Sequence, residues 1–169
     1  MRWAKIGMVA VLAASLGGCV QPAPPEPATL RTQAPPWPAP RDGVSYIEAA
    51  GMPKLPLNDT TDPHVFELRI TRNGAPVEVA AYIGTDRVRA WQAPVHTHDA
   101  SGQVWLEGQG NRTVTLEQFF TVWGVRFDER CLGDVCGSIE VTVDGARVGD
   151  VRGIVLRDVR ETMTIAVKG

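Results

Sequence analysis

Residues 65–71 alternate strictly. Phe66, Leu68 and Ile70 fall on one face, and Val65, Glu67, Arg69 and Thr71 on the other. That period of two predicts a half-buried strand. Asn73-Gly74 follows as a hairpin turn, because both residue types accept positive φ, and 76–83 reads as the return strand. A second hairpin is expected over 94–107, where Asp99-Ala-Ser-Gly102 is turn-like and Gln103-Val-Trp-Leu-Glu107 comes back. At 114–124 the period becomes helical: Leu116, Phe119, Phe120 and Trp123 recur at i, i+3, i+4 and i+7 as one apolar stripe. Thr115 and Gln118 have capping-box spacing, Val114 and Phe119 occupy the staple positions, and Gly124 supplies the stop. Alternation resumes at 138–143, turns at Asp144-Gly145, continues over 146–148 and returns at 161–167, with Met163, Ile165 and Val167 on one face. Ahead of the first strand, 44–50 reads as a short helix or an extended lead-in.

The order hairpin, inserted hairpin, helix, strand, short strand, strand resembles the β-grasp, or ubiquitin-like, fold. The resemblance implies an α+β domain in which one main helix packs across a mixed sheet and the last strand lies centrally beside the first. The ending, Val143-Asp-Gly-Ala-Arg-Val148, then Leu156-Arg-Asp158, then Met163-Thr-Ile-Ala-Val167, is similar to the sulfur-carrier branch. Those carriers act through a Gly-Gly tail. Here Lys168-Gly169 follows a strand directly, so a carrier role is not expected.

The N-terminal residues change the cellular picture. Arg2 and Lys5 precede an apolar run from Ile6 to Leu16, too short to span a bilayer as a helix. The run ends in Leu16-Gly17-Gly18-Cys19, which resembles the lipobox of bacterial lipoproteins. The resemblance implies a signal peptide over 1–18, cleavage before Cys19 and acyl chains on its thiol and amino group. Residues 19–42 hold most of the prolines and read as an extended, semi-rigid tether, with a proline-rich ligand for a partner as the other reading of this stretch. The globular domain is expected over 43–169. Its address would be the extracytoplasmic side of a bacterial membrane, in the cell envelope. Losing Arg2 and Lys5 takes the 17 basic residues to 15 against 19 acidic ones. With no basic stripe either, nucleic acid is not expected as a partner.

Cys131 and Cys136 remain as an even pair, which an oxidising compartment would join as a disulfide. Two thiolates of a zinc site are the other reading of the same spacing. The densest chemistry lies at His96-Thr-His98-Asp99. Two of the three histidines stand two apart, on one face of an extended segment. His64 could supply a third imidazole, and Asp99 or Glu107 a fourth ligand or a hydrogen-bond partner for a ring. Imidazole suits zinc and copper. The structural reading has the rings bonded to backbone, with Asp99 and Ser101 closing an Asx turn.

Ala49-Ala-Gly-Met-Pro53, His96-Thr-His-Asp-Ala-Ser-Gly102 and Thr115-Leu-Glu-Gln-Phe-Phe120 with Trp123-Gly124 together resemble a group of uncharacterised secreted bacterial domains. That group implies a further His where Trp105 stands here, and more than one near His64. No Gly-x-Ser-x-Gly elbow, His-Glu-x-x-His pair or phosphate loop is present. The expectation is therefore a membrane-anchored lipoprotein with a non-catalytic binding or interaction domain that meets a partner in the envelope. The alternative is a zinc- or copper-binding lipoprotein using the His96/His98 hairpin.

Overall fold

The computed structural model describes Pro24 and residues 26–169. The 1–18 segment and Cys19 lie outside the described residues. In chain order the elements are α1 (Gly43–Ala49), β1 (Leu55–Pro56), β2 (His64–Arg72), β3 (Ala75–Val77), β4 (Thr85–Asp86), β5 (Trp91–Gln92), β6 (Val95–His96), β7 (Gln103–Leu106), α2 (Leu116–Trp123), β8 (Cys131–Leu132), β9 (Val135–Cys136), β10 (Ser138–Val143), β11 (Ala146–Val148) and β12 (Thr162–Lys168). No helix among the described residues is long and apolar enough to cross a membrane.

Among the described residues the fold is α+β, with α2 as the expected main helix and α1 realising the helical reading of 44–50. A seven-stranded mixed sheet runs β11-β10-β12-β2-β7-β6, with β3 also on β2. β12 lies parallel to β2 and antiparallel to β10. The alternation that predicts β2 is realised: Phe66, Leu68 and Ile70 are each only 2–3 % exposed. Both expected tight turns form, with positive φ at Asn73-Gly74 and at Asp144-Gly145.

α2 is built as its sequence requires. The Thr115 amide donates to Gln118 Oε1 at 3.0 Å, and the Gln118 amide donates to Thr115 Oγ1 at 3.3 Å. Gly124 ends the helix in the left-handed region at φ 73°. Leu116, Phe119, Phe120 and Trp123 are fully buried and join the sheet's inner face in one core. Side chains of this size contribute about 1.5–3 kcal/mol each on burial.

The return strand expected over 76–83 is only β3. One edge of β2 is shared, with β3 pairing its Ile70–Arg72 end and β7 its His64–Glu67 end. The chain therefore has to leave β2 after Val77, and Tyr82 then turns with φ 62°. β1, β5 and β4 form a small separate sheet beside α1.

The stretch expected as a free tether is also shorter. The Arg31 amide donates to Gly124 O at 2.8 Å, and the Arg126 amide to Arg31 O at 3.0 Å. Trp37 is 2 % exposed and meets Trp123 edge to face at 5.8 Å. Trp123 Nε1 donates to Trp37 O at 2.8 Å. Cys131 and Cys136 lie at disulfide distance across the β8–β9 ladder. The turn between those strands closes over the indole, and a Cβ on Gly133 would come 2.3 Å from the Trp37 ring. The proline content hid this strap, because proline excludes sheet and helix but not packing of the residues between prolines.

If Trp37 belongs to the core, Trp37→Ala should destabilise the fold by about 3–5 kcal/mol. Urea unfolding measures this. A loss well under that range would mean the strap rests on the body without contributing to it.

Candidate metal centre

β6 and β7 pair antiparallel, with Val95 opposite Leu106 and His96 opposite Trp105. Side chains alternate along each strand, so His96 and Trp105 share a face and Glu107 returns to it two residues later. His98 stands two residues beyond His96 on the other limb. Its ring meets His96 edge to face at 4.9 Å and Trp105 at 5.2 Å. One ligand atom from each of His96, His98 and Glu107 lies within 4.8 Å of the others, a group that could hold a metal ion.

Thr97 fixes the limb between the two histidines. It is 1 % exposed. Its hydroxyl donates to Ala80 O at 2.7 Å and accepts from the Ile83 amide at 3.0 Å. Its amide donates to Ile83 O at 3.1 Å, and its carbonyl accepts from the Tyr82 amide at 3.0 Å. Gly84 allows this close approach at φ 71°, since a Cβ there would lie 2.3 Å from Val95 O.

His96 is 1 % exposed and Glu107 4 %. His96 Nδ1 lies 3.2 Å from Ala93 O. A carbonyl only accepts, so Nδ1 carries the proton. Burial, partly offset by that bond, lowers the His96 pKa from 6.5 to about 4. Near neutral pH, Nε2 is therefore a bare lone pair. It lies 3.3 Å from Glu107 Oε2, within ion-pair range, yet makes no hydrogen bond. Burial raises the Glu107 carboxyl above its ordinary value, and Asp59 pushes the same way against the opposing pull of His98. Two buried acceptors thus face each other, an arrangement that a cation or a proton between them relieves.

Two expected ligands lie elsewhere. His64 pairs with Leu106, next to Trp105 on β7, and so points to the opposite face of the sheet. Its Nε2 bonds Val159 O at 2.6 Å. Asp99 accepts the Ser101 amide at 2.9 Å, the Asx-turn role, and Ser101 Oγ in turn accepts the Gln103 amide at 3.3 Å. The hydrogen bonds from Ser101 hold the Asp99 carboxyl below its ordinary value. Glu107 supplies the third donor in their place. Its signal in the sequence is the two-residue step from Trp105, once Trp105 is known to face His96.

No protein-family model matches the chain, and neither a characterised protein nor a solved structure does.

The depressed His96 pKa sets a pH dependence. The folded value lies below the unfolded one, so its contribution to stability is complete above pH 6.5 and is lost as pH falls toward 4. That window corresponds to about 3 kcal/mol at about 1.4 kcal/mol per unit. The raised Glu107 carboxyl acts with opposite sign, since acid relieves it. Subtracting the pH profile of metal-free His96→Gln from that of the metal-free parent isolates the His96 part. Parallel profiles would refute the assignment.

Proposed function

We propose that this chain is a lipid-anchored protein of the bacterial cell envelope whose domain binds a divalent transition-metal ion through His96, His98 and Glu107. The observation that carries the metal reading is the buried Nε2 of His96, without a hydrogen-bond partner and facing a buried carboxylate. A buried polar group left unsatisfied costs about 1–3 kcal/mol. Two imidazoles and one carboxylate are a donor set for zinc, copper, nickel or iron(II), and not for calcium or magnesium. The Ala93 carbonyl orients the His96 ring, as partners around metal-bound histidines commonly do.

Lipid anchoring rests on Leu16-Gly17-Gly18-Cys19 standing where the apolar run ends. The scaffold reads as a β-grasp variant with the β6–β7 hairpin as its insertion. In its favour are the parallel β2–β12 pair and the single core shared by α2 and the sheet. A non-catalytic protein-interaction module is the second reading. It is favoured by Tyr82, Val88 and Trp91, which are 47, 74 and 37 % exposed within the ten residues 82–91.

The test of the metal reading is retention. After loading with zinc or copper and desalting, the full chain should keep about one equivalent. His96→Ala and Glu107→Gln should abolish retention, and His64→Ala should leave it intact. Glu107→Gln should also raise the metal-free melting temperature, because the amide can donate to His96 Nε2. Retention by none of the ions, or equal loss in His64→Ala, would sink this reading and favour the interaction module.

Anchoring has its own measurement. Cys19→Ser should move the protein from the membrane fraction to the soluble fraction of its host, and unchanged fractionation would exclude a lipid on that thiol.

A further inference from the structure

Resting on the metal reading above, we infer that the centre is a transfer site: it passes its ion to an acceptor that binds the metal before His98 lets go. Among the described residues three protein donors come together here, whereas structural zinc sites are closed by four. At least one coordination position is thus left for an outside ligand. The three donors are also unequal. His96 and Glu107 are 1 % and 4 % exposed; His96 is paired within the β6–β7 ladder, and Glu107, one residue past the end of β7, is held by its amide donating to Pro94 O at 3.0 Å. His98 is exposed and lies past the last paired residue of β6, with its ring and that of Trp105 meeting edge to face. The open position therefore lies on the solvent side, next to the one donor that can leave without opening the core. An incoming ligand can bond to the metal there, His98 can then dissociate, and the buried pair is released last. Charge and atoms balance without a redox step: one metal–ligand bond forms for each one that breaks, and Glu107 keeps its negative charge until it takes a proton. The acceptor this suits presents imidazole, carboxylate or thiolate donors in a set stronger than two imidazoles and one carboxylate.

The experiment uses the full chain loaded with Co(II), whose visible absorption reports its inner ligands. Titration with imidazole should change that spectrum, because imidazole enters the open position. Release to the dye pyridylazoresorcinol should speed up in proportion to dye concentration, so that doubling the dye doubles the rate. Either an unchanged spectrum or a rate independent of dye concentration overturns the transfer role while leaving metal binding intact. A chain that retains no Co(II), zinc or copper overturns both.

Discussion

β7 is paired on both sides, to β2 through His64 and Leu106 and to β6 through Val95 and Leu106. Leu106 is fully buried, as are Val95 and Val104. These three side chains set the register of the hairpin, because a slip of one residue would turn every side chain to the other face. In the slipped state Trp105 and Glu107 would enter the core and Leu106 would face outward. The apolar positions of β7 therefore place its polar neighbours, and the candidate metal centre depends on that register.

The centre itself is a cost to the metal-free fold. Burial opposes charge on both groups, lowering the His96 pKa and raising that of Glu107, and leaves His96 Nε2 without a hydrogen-bond partner. Pairing a lone pair with a carboxylate returns nothing electrostatically. What holds the two together is the surrounding set of hydrogen bonds at Thr97 and the close approach of Gly84 to β6. An ion bound between them would satisfy both groups and stabilise the folded state in proportion to its concentration over its dissociation constant. Preorganisation of this kind is what a binding site needs and what a purely structural hydrogen-bond network would avoid.

Local signals in the sequence were legible where one residue's chemistry decides one bond. The capping box of α2, the Gly124 stop and the two turns Asn73-Gly74 and Asp144-Gly145 all appear at the residues that predict them. Asp144 also accepts the amides of Arg160, Glu161 and Thr162, a role that its place in a turn does not announce. The candidate ligand set was half legible. His96 and His98 meet because they share one extended segment, whereas His64 reaches the hairpin only through β7. Whether it faces the same way depends on the register between strands about forty residues apart, and no local pattern encodes that. Of the two readings of Asp99, the Asx turn with Ser101 is the one that forms, because a turn aspartate has a closer partner in its own backbone.

The strap alters how the proposed anchor would work. A proline-rich spacer reaching residue 42 would hold the domain well away from a membrane. Yet the Glu26 amide already donates to Asp42, and residues 31–40 are built into the body through Arg31 and Trp37. With the lipid on Cys19, six residues would lie between the anchor and the Glu26 contact with the domain, a reach of at most about 25 Å over seven Cα steps. The domain would then stay close to the bilayer surface, with limited freedom to turn. If the centre hands on its ion as proposed, this would restrict the acceptors to those that come to the same surface, and would make the orientation of His98 relative to the strap a determinant of which of them can dock.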